Sequence, residues 1–167
     1  MWLQTRADLV NTDMLKLMKR AGVSTIAFGL ESGSEKVMSK LDKQVSIDKV
    51  AEAIAMAQHA GIEVELFTQF GLPYETFEDA LKTLEFVKRN NVKIMGNTNS
   101  QQMQIYFGTP MAQQYENYNI RPLNTKRPAY ISLGSQYETD CMTQQEMRKI
   151  QELWRADSLD RGRRIVS

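Results

Sequence analysis

Two short stretches of the chain place carboxylates and glycines where an apolar strand gives way to a helix. In the first, the apolar run 24–30 ends at Glu31, and the next four residues, 32–35, have the S-x-x-E form of a capping box. In the second, the apolar run 62–70 breaks at Gly71 before a helix start at Thr76 and Asp79. Helix starts present free N–H groups, so both places suit a polar or anionic ligand.

The rest of the pattern predicts strands that alternate with helices. Strands are expected at 2–5, 24–30, 62–70, 92–95 and 103–107, and helices at 12–21, 34–40, 47–60, 76–90 and 111–118. The segment 119–140 is predicted to be largely irregular, and a second capping box at 143–146 starts a final helix with Leu153 and Trp154 on its inner face. The order implies right-handed βαβ units, a parallel sheet and an α/β fold, with the ligand at the carboxyl ends of the strands.

Composition narrows the class of protein. The 167 residues hold 21 Lys and Arg against 20 Asp and Glu, so the formal charge of +1 gives no basic field for nucleic acid. The single cysteine, Cys141, excludes an internal disulfide framework and favours a reducing, cytoplasmic location. No apolar run approaches the roughly 20 residues of a membrane span, so no membrane partner is expected.

Four motifs occur in an order and spacing that resemble a known family. They are W-x-x-T-R-A-D at 2–8, G-L-E-S-G-S-E at 29–35, G-L-P-Y-E-T at 71–76 and Y-F-G-T-P at 106–110. Together they resemble the radical S-adenosylmethionine enzymes, in the branch often fused to a cobalamin-binding domain. The resemblance covers residues 1–112, so we divide the chain into that part and a C-terminal extension, 113–167, that packs on it.

The resemblance implies a partial (β/α) TIM-type barrel that binds S-adenosylmethionine beside a [4Fe-4S] cluster. Family members hold the cluster with three cysteines in a C-x-x-x-C-x-x-C loop after the first strand, and this chain has no such loop. Its first strand resembles the family's third. We therefore expect the carboxyl half of a radical S-adenosylmethionine core, inactive by itself, whose cluster ligands and any cobalamin belong to a missing N-terminal part.

The resemblance also implies cofactor contacts. Glu31 matches a position that contacts the cofactor's ribose, although an ion pair or helix-start contact remains open. Lys43 lies where family members carry a basic residue for the methionyl carboxylate, but a surface lysine fits equally well. The backbone around Gln69 and Gly71 matches the strand that lies against adenine, while Phe67 replaces a frequent ribose-binding Asp, which weakens that contact.

The remaining candidates lie at other strand ends. Thr5 and Arg6 end the first strand, where Arg6 either recognises a carboxylate or pairs with Asp8. The resemblance implies that Gly108 shapes the end of the family's sixth strand near the adenine. Neither a catalytic residue nor a metal ligand is assigned.

Two readings of function remain from the sequence. The first is the cofactor-binding half of an iron-sulfur oxidoreductase or methyltransferase that acts on a small-molecule substrate. The alternative is a non-catalytic α/β module that docks a partner domain through its open sheet edge. The same open edge predicts that the isolated chain forms a homodimer.

Overall fold

The structure is a computed structural model that describes residues 1–41, 44–94, 102–123 and 136–164, with side chains as far as residue 157. Four parallel strands form the main sheet in the order β1-β2-β3-β4. They are β1 Trp2–Thr5, β2 Thr25–Glu31, β3 Glu63–Thr68 and β4 Lys93–Ile94. The parallel sheet confirms the predicted α/β class.

The described residues form six α-helices between and after these strands. They are α1 Thr12–Arg20, α2 Glu35–Lys40, α3 Ile47–His59, α4 Phe77–Arg89, α5 Pro110–Gln113 and α6 Gln144–Arg164, with 3-10 turns at Ala7–Leu9 and Tyr115–Tyr118. Asn11 and Ser46 cap α1 and α3, and Thr76 with Asp79 forms the capping box of α4. Each of these caps satisfies backbone N–H groups that the first helical turn leaves free. None of the described helices is long and apolar enough to cross a membrane.

The two faces of the sheet differ in character. Ile26, Phe28 and Leu66 are fully buried and pack with α3 in one core cluster. Side chains alternate along a strand, so the register places Gly29 and Phe67 together on the opposite face. Gly29 is exposed and Phe67 half-buried, and this second face is therefore the open one.

A second core cluster joins the C-terminal segment to the sheet. Trp154 of α6 is fully buried and meets Phe70 edge-on, with ring centroids 5.2 Å apart. Leu72, Tyr137 and Met147 belong to the same cluster. The end of β3 and the C-terminal segment thus share one core.

Four local predictions from sequence are wrong. Residues 103–107 do not form a strand: the pairing described next to them is a parallel bridge between Gln102 and Phe70. Within 119–140, which we expected to be irregular, Ile120–Pro122 (β5) and Tyr137–Thr139 (β6) form an antiparallel pair. The predicted capping box at 32–35 does not form, because the N-cap of α2 is Ser34 and its hydroxyl donates to Asp79 instead. Leu153 is 36% exposed rather than on the inner face of α6.

Candidate functional site

The carboxyl ends of β2 and β3 meet at one edge of the sheet. Glu31 ends β2, and its carbonyl accepts a hydrogen bond of 2.8 Å from the N–H of Gln69, which follows β3. The pairing of β2 with β3 shifts register between Gly29 and Glu31, so the end of β2 forms a β-bulge. Two predicted site residues, Glu31 and Gln69, are brought together as expected.

Glu31 occupies an unusual backbone conformation. Its φ is 63°, in the left-handed region that costs a non-glycine residue about 1–2 kcal/mol. Such strain persists where the surroundings enforce it, and it is concentrated at functional sites. The bulge and the Gln69 hydrogen bond are the features that enforce it here.

Gly29 leaves space on the open face beside the Glu31 carboxylate. A Cβ added to Gly29 would lie 3.7 Å from Oε1 of Glu31, and apart from its neighbours in the chain no other atom of the described residues lies within 4 Å of it. The carboxylate therefore reaches back along β2 toward the open face instead of pointing away from the sheet. The space above Gly29 is bounded on one side by an acceptor of hydrogen bonds.

A hydrogen bond lies deeper on the same face. The indole Nε1 of Trp2 donates to Oε2 of Glu65 at 3.0 Å, which joins β1 to β3 across β2. Ala27, the β2 residue in register with Glu65, has 0% of its surface exposed. The Trp2–Glu65 pair thus closes the face below Gly29, while Gly29 itself stays open toward the strand ends.

The turn after β3 is organised by a buried carboxylate. Glu75 has 0% of its surface exposed, and its Oε2 accepts hydrogen bonds from the N–H groups of Gly71 at 2.7 Å and Leu72 at 3.2 Å. Burial raises the pKa of Glu75 to about 8, although the Leu72 and Gly71 N–H groups oppose the rise. Oε1 accepts no hydrogen bond from the residues that the structure describes. Gly71 has a φ of 73°, which glycine adopts without strain.

Asp79 ties the loops after β2 and β3 to each other. Its buried carboxylate accepts hydrogen bonds from the Ser34 hydroxyl at 2.7 Å, Lys36 at 3.0 Å, Lys82 at 2.8 Å and the Thr76 N–H at 3.3 Å. Burial alone raises the pKa of Asp79, but the hydrogen bonds from Lys82, Ser34, Lys36 and Thr76 outweigh it and hold the pKa well below its usual range. The carboxylate is therefore charged at neutral pH and bridges α2 to α4.

Gly33 packs directly on α4 in the same region. Its N–H donates to the Thr83 hydroxyl at 2.7 Å, and an added Cβ would lie 2.7 Å from Cα of Thr83. A side chain at this position would push the loop off α4. The loop that carries Glu31 is thus fixed by close packing as well as by Asp79.

The other predicted residues lie further from this edge or cannot be placed. Thr5 is in register with Phe28, so its side chain belongs to the helix-covered face. Arg6 pairs with Asp8 through two hydrogen bonds of 2.9 and 2.8 Å, which is the second of the two roles expected for it. Gly108 lies in an exposed turn whose carbonyl accepts from Gln113. Lys43 lies outside the described residues.

The sequence pattern predicted no site role for Glu75 or Gly33, and it identified Asp79 only as part of the helix start at Thr76. The side chain of Glu75 turns back onto the preceding loop. The i to i+4 spacing of Gly71 and Glu75 was the available signal, since it lets a carboxylate cap the turn N–H groups. Nothing in the spacing pairs Ser34 with Asp79, because the two are 45 residues apart.

The residues at this edge fit a nucleoside-bearing cofactor but not an iron-sulfur cluster. A strand-end carboxylate beside open backbone accepts hydrogen bonds from hydroxyl or ammonium groups. A cluster requires several thiolates, and the chain has one cysteine. No group of three His, Cys, Asp or Glu side chains that could hold a metal occurs in the described part of the chain.

The fold defines a class: a parallel α/β partial barrel, the kind of fold in which ligands bind at the carboxyl ends of the strands. The family model of the radical SAM superfamily matches residues 2–87, and the chain belongs to that superfamily. The resemblance inferred from the four motifs is therefore confirmed.

Relatives and solved structures agree on the fold. A Methanocaldococcus jannaschii protein described as a methylthiotransferase is 30% identical over 82 residues, which are 49% of this chain and 18% of that protein. The cobalamin-dependent S-adenosylmethionine radical enzyme OxsB superposes with a TM-score of 0.65 at 15% identity, covering 90% of this chain and 28% of OxsB. Coproporphyrinogen III oxidase of Escherichia coli superposes at 0.59 with 12% identity, covering 94% and 32%. These likenesses confirm the partial TIM-type barrel.

The chain is short relative to the proteins it matches. It spans 18% of the length of the first curated relatives and at most 32% of the superposed chains cited above.

Proposed function

We propose that this chain is the S-adenosylmethionine-binding carboxyl half of a radical S-adenosylmethionine iron-sulfur enzyme and is inactive as an isolated piece. The observation that carries the proposal is the open space over Gly29, bounded by the Glu31 carboxylate at the strand end. The cluster ligands would come from a preceding segment of the same protein. When bound beside that cluster, S-adenosylmethionine supplies a 5'-deoxyadenosyl radical.

The residues at the edge divide the work of holding this cofactor. Glu31 accepts hydrogen bonds from ribose hydroxyls or from the methionyl ammonium. The Gly71 turn presents its backbone to the adenine, and Glu75 holds that turn in shape by binding its N–H groups. Asp79 and Gly33 fix the loops on which Glu31 and Gly71 are carried. Lys43 remains a proposed partner of the methionyl carboxylate.

The proposal is tested by the substitution Gly29→Ala in the full-length protein with its cluster assembled. Among the described residues the added methyl contacts Glu31 Oε1 alone, at 3.7 Å, so we expect the fold to tolerate it. We expect S-adenosylmethionine to bind about tenfold more weakly, because the methyl occupies the space that the cofactor needs. Equilibrium dialysis measures the affinity, and thermal unfolding verifies that stability is unchanged.

A charge-removing pair gives an independent control. Glu31→Ala removes the acceptor at the strand end, whereas Glu35→Ala removes an exposed carboxylate four residues away at the start of α2. We expect only Glu31→Ala to weaken binding. Equal affinities for Gly29→Ala, Glu31→Ala and the unsubstituted protein would contradict the assignment of the edge.

A second cofactor and a substrate are part of the same proposal. The structural likeness to OxsB, a cobalamin-dependent enzyme, supports cobalamin as a second cofactor, held by a domain outside this chain. A small-molecule substrate would enter over the open face of the sheet, and the Trp2–Glu65 hydrogen bond would limit how deep along that face it can bind. Partial coverage of larger enzymes supports a partner segment that completes the barrel.

A further inference from the structure

Tyr137 of β6 lies far along the chain from the candidate site, yet it contacts the site directly. Its hydroxyl is 3.1 Å from the carbonyl oxygen of Gly71 and 3.0 Å from that of Met103. The side chain has 0% of its surface exposed. Both acceptors lie at the end of the sheet where β3 gives way to the turn.

The contact with Gly71 is close enough to define the shape of the turn. A Cβ added to Gly71 would lie 2.8 Å from the Tyr137 Oη and 3.2 Å from Sδ of Met147 in α6. The turn is therefore enclosed by the C-terminal segment on one side. On the other side, Glu75 binds the N–H of Gly71 at 2.7 Å. The Gly71 peptide is held at both its N–H and its carbonyl.

The Tyr137 hydroxyl also links two segments that share little backbone pairing. β3 ends at Thr68, and the chain at 102–103 approaches it through one bridge to Phe70 and the hydrogen bond from Met103 N–H to the Phe70 carbonyl at 2.9 Å. The phenol has one proton to share between the Gly71 and Met103 carbonyls. Burial raises the pKa of Tyr137, so the hydroxyl keeps that proton at physiological pH. It joins two segments that the described backbone pairing joins at Phe70.

We propose that Tyr137 is a positioning residue that sets the adenosine-binding shape of the Gly71 turn by bridging the carbonyls of Gly71 and Met103. The proposal rests on the function proposed above, because it assumes that this turn meets the adenine. It assigns to the C-terminal segment a role in cofactor affinity. The segment would otherwise be a structural extension.

The test is Tyr137→Phe in the full-length, cluster-loaded protein. Phenylalanine keeps the ring packing and removes only the hydroxyl. Three probes are titrated: S-adenosylmethionine, 5'-deoxyadenosine and methionine. We expect S-adenosylmethionine and 5'-deoxyadenosine to bind about three- to tenfold more weakly, which corresponds to about 0.7–1.4 kcal/mol. Methionine, which lacks the adenosine, should bind within about twofold of the unsubstituted protein.

Ile120→Val is the matched control. Ile120 is buried in β5, the strand paired with β6, at 3% exposure, and the substitution removes one methyl and no hydrogen-bonding group. It lowers stability to an extent comparable with the loss of one hydrogen bond. If Ile120→Val weakens the adenosine probes as much as Tyr137→Phe, or if Tyr137→Phe weakens methionine equally, the positioning role is refuted. If the unsubstituted protein binds no S-adenosylmethionine at all, the proposed function itself fails.

Discussion

Replacing Asp79 with alanine tests whether the buried carboxylate holds the site loops together. The substitution leaves the Ser34 hydroxyl, which is 1% exposed, without its acceptor, at a cost of about 1–3 kcal/mol. It also removes half of the α4 capping box, which contributes about 1 kcal/mol. Lys36 and Lys82 are 54% and 53% exposed, so they are resolvated and add little.

The sum predicts that Asp79→Ala lowers the free energy of unfolding by about 2–4 kcal/mol. For a chain of this length that corresponds to a fall in Tm of about 5–15 °C. Urea unfolding followed by circular dichroism measures the change. Glu78→Ala is the control, because Glu78 is an exposed acidic residue of the same helical turn. A loss for Asp79→Ala no larger than that for Glu78→Ala would refute the account of the network.

Three further predictions concern pH, packing and assembly. Burial raises the pKa of Glu75 from an ordinary 4.5 to about 8, so the folded state holds its proton more tightly. The contribution of Glu75 to stability should therefore be complete below pH 4.5 and be lost as the pH rises toward 8. The free energy of unfolding should fall by at most about 1.4 kcal/mol per pH unit in this range. Unfolding curves of Glu75→Gln should lack this fall. Identical pH profiles for Glu75→Gln and the unsubstituted protein would contradict the burial argument. Gly33→Ala should lower the free energy of unfolding by about 1–3 kcal/mol, because the added Cβ meets the α4 backbone. Gly29→Ala should leave it nearly unchanged. Equal thermal stabilities of the two variants would contradict the close packing of Gly33 on α4. The isolated chain should form a two-fold dimer, because the edge of β1 and the side chains of Trp2 and Leu17 are exposed in the described structure. Sedimentation at micromolar concentration measures the oligomeric state. A monomer would contradict the prediction.

The strands and capped helices were readable from sequence because local chemistry determines them. The parallel strand β2 shows a continuous apolar run, and Asn11, Ser46, Thr76 and Thr143 mark helix starts that the structure contains. The edge with Glu31 and Gln69 followed from the rule that parallel strands end together. Each of these inferences uses residues close in sequence.

The parts that could not be predicted depend on contacts between distant residues. The pairing of β5 with β6 spans a stretch with no hairpin turn signal beside either strand. Ser32-Gly33-Ser34-Glu35 resembled a capping box, but Ser34 bonds to Asp79 instead because α4 packs against the loop. The bridging role of Tyr137 likewise arises only when β6 reaches the turn after β3.

The central claim is that this chain supplies one half of a cofactor site whose cluster-bearing half lies elsewhere. Calorimetric titration with S-adenosylmethionine, performed side by side on the isolated 167-residue chain and on the cluster-loaded full-length protein, tests it most directly. We predict binding by the full-length protein and weak or undetectable binding by the isolated chain, since the cluster that chelates the methionyl group is absent from it. Tight binding by the isolated chain without iron, or no binding by the full-length protein, would contradict the claim.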